Sequence, residues 1–451
     1  MELAGKKVVV VGLAQSGAAV VRFLSRRDAK VVATDLKTEA ELAETLEQMR
    51  GMDIGLALGG HPDRIFKDAD LVVVSPGVPR NSPPLKKAQA MNIEVLSELE
   101  LGFRHLAAPV LAVTGTNGKT TTVSLAGEIM KAALSEDAVF VGGNIGTPLV
   151  DACDSGKSFD AAVIEVSSFQ LEFAPSFAPL VAVMLNVTAD HLDRYRDFDD
   201  YAETKQRIFA NQQSTDVAVI NMDDACAAKM AKTVQSATMG VSLHTRPAGQ
   251  GMWLSEGLLL YTDGDSEELF LRADEVPLPG SHNLVNVMAA ACGALAMGAD
   301  IDAARRAVRS FAGLPHRTEL VAQIGGVKYY NDSKATNPGA VEAAVAGMPG
   351  PLLLLMGGQA KGCRFNGLAK SIKNKVKQVV AFGECKDQLA AEMNGIEVRK
   401  ATDMAEALDM ASAAAVPGDT VLLAPGCASF DQFRDYKHRG DTFTELVKRF
   451  G

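Results

Sequence analysis

The chain has 451 residues, 47% of them apolar, and carries 45 Lys and Arg against 55 Asp and Glu for a formal net charge of −10. That length exceeds what one core sustains, so several domains are expected, each apolar enough to bury its own core. The negative balance argues against nucleic acid and anionic membranes as partners, and six cysteines without a C-x-x-C pair exclude a zinc knuckle and fit reduced thiols.

Met1 to Lys7 lack a basic-then-apolar leader, and no apolar run nears the ~18 residues of a membrane span. A cytoplasmic protein without membrane insertion is expected. The first domain, residues 1–97, opens with a strand at Lys7–Val11, a tight turn at Gly12–Gly17 and a helix at Ala18–Arg26. A second strand, Lys30–Thr34, ends at Asp35, which begins a doubly wound α/β unit. A dinucleotide fingerprint would want glycine where Ala14 stands, which weakens an NAD reading without forbidding a nucleotide. A uridine diphosphate group could use the same turn, with Asp35 and Leu36 at the end of the second strand. Asp70–Val74 is a strand running into Ser75-Pro76-Gly77-Val78-Pro79. Such a loop is either a ligand-binding edge or a plain Pro/Gly turn.

The second domain, residues 98–313, carries the most informative stretch. Val110–Val113 reads as a buried parallel strand, Gly115-Thr116-Asn117-Gly118 as a turn, and Lys119–Met130 as a helix. Free N–H groups and a helix dipole then converge on one point, which is a phosphate cradle. Lys119 would reach the terminal phosphates of ATP, the Thr120 hydroxyl would ligate magnesium, and Thr121 follows on the same turn. The usual spacing would place glycine at Val113, so this is a shortened form of the loop. A second glycine-rich loop, Gly142–Pro148, contains Asn144. The strand Ala161–Ile164 delivers Glu165, a carboxylate able to hold magnesium beside the phosphates. Val181–Leu185 leads to Asn186 and on to His191, which is either structural or a ligand at a crowded strand edge. Asp199–Phe209 reads as a helix with Tyr201, Lys205 and Ile208 on one face. Lys205 alone reads as a solvated surface lysine. Residues 250–276 read as a small antiparallel excursion, and Asn283, at the start of an alanine-rich helix, is either an N-cap or an adenine contact.

In the third domain, residues 314–451, strands near Val327–Tyr330, Leu352–Leu355, Val379–Phe382 and Thr420–Leu423 each end in a polar or glycine-rich loop. That is a second doubly wound sheet, without a dinucleotide motif.

Five motifs together resemble the Mur ligase family, over essentially the whole chain: Gly115-Thr-Asn-Gly-Lys-Thr120, Glu165-Val-Ser-Ser-Phe-Gln170, Asn186 through His191-Leu-Asp-Arg-Tyr195, Gly280-Ser-His-Asn-Leu-Val-Asn286 and Leu314-Pro-His-Arg317. Asn331–Asn337, Gly357–Gly362 and Ser429–Phe433 with Arg439-Gly440 look most like the branch that joins D-glutamate to UDP-N-acetylmuramoyl-L-alanine. The resemblance implies an α/β fold of three domains: a Rossmann-like UDP-binding domain, a central P-loop ATPase-like domain and a Rossmann-like amino-acid domain. It implies ATP and two magnesium ions, with manganese as a substitute, in a monomer that works through an acyl phosphate. Lys119, Thr120, Glu165 and His191 would serve the phosphates and metals, and Lys205 would become carbamylated as a further metal ligand. Asn283, Arg317 and Asp332 would bind ATP. Thr336, Lys361, Ser429 and Tyr436 would bind D-glutamate. Gln15, Ser16, Asp35, Leu36, Ser75, Pro76, Gly77, Asn144 and His191 would hold the UDP-sugar. Gln15 and Leu36 stand where relatives carry other side chains, so backbone contacts to uracil are expected there. Tyr436 replaces the phenylalanine of some relatives, and Gly426 is a local change with no assigned chemistry.

Overall fold

The computed structural model describes residues 1–450 other than Leu192 and Pro349. The chain forms two compact units, Met1–Arg272 with Asn286–Val308, and Ala273–Val285 with Arg309–Gly451.

The first unit holds two sheets. One comprises β1 (Lys7–Val11), β2 (Lys30–Asp35), β3 (Ile54–Leu58), β4 (Leu71–Val74) and β5 (Glu94–Ser97), in the order β3-β2-β1-β4-β5 and parallel throughout. Val8 to Val11 and Leu71 to Val74 are buried, as strands covered on both faces must be. The strand order reverses between β1 and β4, the position where such sheets bind ligands. The helix after β1 runs Gln15–Ser25, three residues ahead of the expected start. Gly17 explains the tight turn: a Cβ there would lie 1.9 Å from the Gly12 carbonyl oxygen. Gly12 itself sits at φ +89°, where glycine alone is unstrained.

The second sheet comprises β6 (Val110–Thr114), β7 (Val139–Gly143), β8 (Ala161–Glu165), β9 (Val181–Met184), β10 (Val217–Asn221), β11 (Ala237–Ser242), β12 (Gly251–Ser255), β13 (Leu258–Thr262) and β14 (Glu267–Arg272). Its order is β14-β13-β12-β11-β10-β9-β6-β8-β7. The expected antiparallel excursion is real, but β12 pairs parallel to β11, so the hairpin strands extend the main sheet. Gly142 and Gly143 close β7 and do not belong to the loop proper. The helix expected over Asp199–Phe209 is α-helical over Phe198–Gln206 and tightens to a 3-10 turn at Arg207–Phe209.

The second unit has one sheet: β15 (Glu319–Ile324), β16 (Val327–Asn331), β17 (Leu352–Gly357), β18 (Val376–Phe382), β19 (Glu397–Lys400) and β20 (Thr420–Leu423). Its order is β15-β16-β20-β17-β18-β19, with β15 antiparallel and the rest parallel. The four central strands are those the sequence announces. The two edges, β15 and β19, are half-exposed and lack the continuous apolar run that marks a buried parallel strand.

Candidate active site

The loop between β6 and the helix Lys119–Ala133 makes the strand–turn–helix that the sequence predicts. Gly115 at φ +152° and Gly118 at φ +88° turn the chain so that the helix starts at Lys119. Asn186, leaving β9, holds the turn from outside. Its Oδ1 accepts the Asn117 N–H at 2.8 Å, its Nδ2 donates to the Asn117 carbonyl, and its own carbonyl accepts the Thr116 N–H at 2.9 Å. Lys119 Nζ donates to the Gly115 and Thr116 carbonyls, both at 2.8 Å, curled over the turn that it would leave to reach a phosphate. Thr121 is buried on the first helical turn.

Parallel pairing of β6 with β8 sets Val113 opposite Glu165 and so delivers the carboxylate beside this loop. Glu165, 3% exposed, is bound on both oxygens: Thr120 Oγ1 donates to Oε2 at 2.6 Å and Asn144 Nδ2 to Oε1 at 2.8 Å. A hydroxyl and a carboxylate at a helix N-terminus are donors that suit a hard divalent cation sharing phosphate oxygens. Among the described residues no three His, Cys, Asp or Glu side chains cluster as a metal cage.

Lys205 corrects the sequence reading. It is no solvated surface lysine: it is 2% exposed, donates to the Gly115 carbonyl at 2.8 Å, and its Nζ lies 4.7 Å from the Tyr201 ring centroid. The helix face that carries both residues packs against the phosphate loop, and Tyr201 OH lies 3.2 Å from Thr116 Oγ1. Burial, with Lys119 nearby, pushes the Lys205 ammonium well below the usual lysine range. His191 sits at φ +54° with its N–H on Asp190 Oδ1, and burial lowers its imidazole despite Asp190 and Asp193. Its ring meets Phe169 edge-on at 4.9 Å.

In the first sheet, the turn after β1, the end of β2 and the loop after β4 converge around the strand-order reversal. Asp35 is spent on the backbone, accepting Leu13 N–H at 2.7 Å and Lys37 N–H at 2.9 Å. Ser75 Oγ donates to the Gly12 carbonyl at 2.7 Å. Gln15, beside the half-buried Ser16, donates through Nε2 to the Gly146 carbonyl at 2.8 Å, joining the first turn to the Asn144 loop. Leu36 is 73% exposed, and Gly77 is exposed between the half-buried Pro76 and Val78.

The second unit carries the remaining predicted residues, Asp332, Thr336, Lys361 and Ser429 on loops that follow its strands. Asp332 follows β16, and burial pushes its carboxyl up to about 7 while Arg317 and Thr318 pull it down. Mutual backbone hydrogen bonds of Gln359 and Ala428 bring the Lys361 and Ser429 loops together. Lys361 lies at φ +47° with its Nζ 5.0 Å from the Phe430 ring centroid, and Ser429 is buried. Thr336 is half-buried on the loop before the helix Pro338–Gly347. Tyr436 opens the last helix, its carbonyl accepting Ser333 Oγ at 2.8 Å and its ring 4.1 Å from Lys334 Nζ. Asn283 is the third residue of the helix Ser281–Ala296, inside rather than capping it, and donates to the Pro279 carbonyl at 2.7 Å. Gly426 has a physical reason: it lies at φ +69°, and a Cβ would stand 3.0 Å from the Met356 methyl. Sequence reasoning gave no role to the buried Arg439, which donates to Ser333 Oγ, the Ser333 carbonyl and the Cys427 carbonyl. Only its position beyond the Ser429 motif hinted at it.

Family models for the Mur ligase MurD-like N-terminal domain, the Mur ligase middle domain and the Mur ligase glutamate ligase domain match residues 6–97, 113–294 and 316–427. A UDP-N-acetylmuramoylalanine–D-glutamate ligase of Geobacter metallireducens is 44% identical over 100% of this chain and 99% of its own. The protein of the same name in Geotalea daltonii is 45% identical over 99% and 98%. Among solved structures, MurF from Acinetobacter baumannii covers 99% of this chain and 91% of its own at a TM-score of 0.62 and 16% identity, a likeness of fold. Three α/β sheets, matched in this way along the whole length, define an ATP-dependent ligase. The chain belongs to the Mur ligase family.

Proposed function

We propose that the chain joins D-glutamate to UDP-N-acetylmuramoyl-L-alanine at the expense of ATP, through an acyl phosphate, in peptidoglycan precursor synthesis. The observation that carries this reading is full-length identity of 41–45% to relatives bearing that activity in their names. The substrate carboxylate attacks the γ-phosphorus and ADP leaves; the D-glutamate amine then attacks the acyl carbon, forms the amide and expels phosphate.

Each role rests on chemistry present in the chain. Gly115, Thr116, Asn117 and Gly118 would shape the turn, with the Thr116 and Asn117 N–H groups spent on Asn186. The helix N-terminus through Thr121 would offer its N–H groups to the phosphates, and Lys119 adds a mobile positive charge. Thr120, Glu165 and His191 would hold magnesium, which when bound supplies positive charge between the triphosphate and the incoming carboxylate. Lys205 fits the carbamate role because burial favours its neutral amine, the form that adds carbon dioxide and releases one proton. Asn283, Arg317 and Asp332 are assigned to ATP. Lys361, Thr336, Ser429 and Tyr436 are assigned to the D-glutamate carboxylates. Gln15, Ser16, Asp35, Leu36, Ser75, Pro76, Gly77 and Asn144 are assigned to the UDP-sugar. With Asp35 engaged by backbone and Leu36 in solvent, uracil would be read through backbone groups.

We retain 1–97, 98–313 and 314–451 as the functional division and a monomer as the working form. No helix among the described residues is long and apolar enough to cross a membrane, and the cytoplasm is the location we assign from the relatives' activity. The test is phosphate release from ATP and magnesium with UDP-N-acetylmuramoyl-L-alanine, offering D-glutamate, L-glutamate, L-alanine and L-lysine separately. Release that depends on D-glutamate alone is expected. Release with another amino acid would move the chain to a sister step of the family.

A further inference from the structure

We propose that Arg194 is a positioning residue that sets the Ser75–Val78 loop and the His191 imidazole from a single guanidinium. This rests on the reading of that loop as part of the UDP-sugar site. Arg194 lies three residues past His191, and its side chain is 10% exposed. One edge of its fork grips Glu172, with Nε on Oε1 at 3.1 Å and Nη2 on Oε2 at 2.6 Å. The rest reaches across to the first sheet: Nη1 donates to the Pro76 carbonyl at 2.7 Å and Nη2 to the Val78 carbonyl at 3.0 Å. The loop is thus held at both shoulders of Gly77, which stays exposed. The flat face of the guanidinium lies 3.9 Å from the Phe169 ring centroid, and that ring packs edge-on against His191.

Only arginine can do all of this. A planar fork with five donors serves a carboxylate and two carbonyls while its face stacks on a ring, whereas a lysine ammonium has three donors and no face. Glu172, 2% exposed at its side chain, balances the charge, so the guanidinium stays in place without solvent. A second tie runs parallel: Arg80, just past the same loop, pairs with Asp200 on the helix that carries Lys205. Ser97, at the end of β5, donates its N–H to the Phe173 carbonyl at 2.7 Å, a further link from the first sheet to the residue after Glu172. Arg194 is the tie that touches both the loop and the ring behind His191.

The test is steady-state kinetics of the full chain with Arg194→Lys, Phe169→Leu and Glu172→Gln, alongside calorimetric titration of UDP-N-acetylmuramoyl-L-alanine and thermal melts. Losing the two charge-assisted bonds to the loop carbonyls, R194K should raise KM and Kd for the UDP-substrate about ten- to a hundredfold. KM for ATP and D-glutamate should move less than about twofold. F169L, which leaves the carbonyl bonds standing, should lower kcat with little change in that KM. E172Q, whose amide nitrogen cannot accept one of the two fork bonds, loosens the fork and, should R194K melt early, carries the test with a smaller shift of the same sign. An unchanged UDP-substrate Kd in R194K, or an equal rise in all three KM values, would overturn the proposal. Wild-type chain that neither binds the UDP-substrate nor releases phosphate with D-glutamate would instead overturn the functional reading beneath it.

Discussion

Thr120 Oγ1 donates to Glu165 Oε2 at 2.6 Å, joining the first turn of the phosphate-loop helix to the end of β8. The bond fixes the carboxylate where a cation on the nucleotide would meet it. Glu165→Gln keeps the shape and the Asn144 contact but removes the charge. Turnover should fall on the order of a hundredfold or more, with a higher magnesium requirement and a melt within a few degrees of wild type. Magnesium titrations of initial rate in both proteins check this.

Lys205 supplies a second prediction. A buried ammonium donating to the Gly115 carbonyl is poor company for Lys119, and burial together with that neighbour pushes it well below the usual lysine range. Lys205→Ala should cut turnover on the order of a hundredfold or more while the fold persists. Wild-type activity should also fall in carbon-dioxide-depleted buffer and return with bicarbonate. Activity indifferent to bicarbonate would leave Lys205 as a bare amine.

Much of this was legible in the chain, and the reason differs by element. The phosphate loop could be read because glycines at positive φ are forced by the backbone and leave a fixed spacing, Gly115 to Gly118. Glu165 could be read because its strand is a short apolar run with an acid at its end. Lys205 could be singled out only through the resemblance, since its burial depends on packing across ninety residues of sequence onto Gly115. Arg194 lay in a recognised motif, yet its partners Glu172, Pro76 and Val78 are set by tertiary structure alone. The half-exposed edges β15 and β19 escaped notice because their pattern is weak.

Glu98 sets a pH dependence of stability. Burial pushes its carboxyl from 4.5 up to about 7, more strongly than the Val150 N–H on Oε1 at 2.9 Å pulls it down. The folded chain therefore keeps this acid protonated while the unfolded chain has already ionised. Stability from this group is full at low pH and is lost as pH rises from about 4.5 to about 7, a loss of about 3 kcal/mol. Glu98→Gln should remove that slope, so the variant gains on wild type at alkaline pH and not in acid. Thermal melts across the range would contradict this if the two proteins kept a constant gap.

Gly118 gives the sharpest backbone test. It caps the helix Lys119–Ala133 at φ +88°, and a Cβ there would stand 2.3 Å from Asn286 Oδ1. Gly118→Ala must therefore carry left-handed strain of about 1–2 kcal/mol and also displace an amide or the loop itself. The loop is the softer element, because it is short and is held by hydrogen bonds to Asn186 and not by a helix or sheet ladder. The phosphate cradle should distort before the core does. Affinity for ATP should fall tenfold or more, since several N–H donors lose their common focus at once. The melting temperature should drop by only a few degrees, because the buried strand β6 beneath the loop is untouched. Calorimetric titration with a non-hydrolysable ATP analogue separates the two effects. Wild-type affinity in G118A would mean that the turn binds phosphate without needing this glycine.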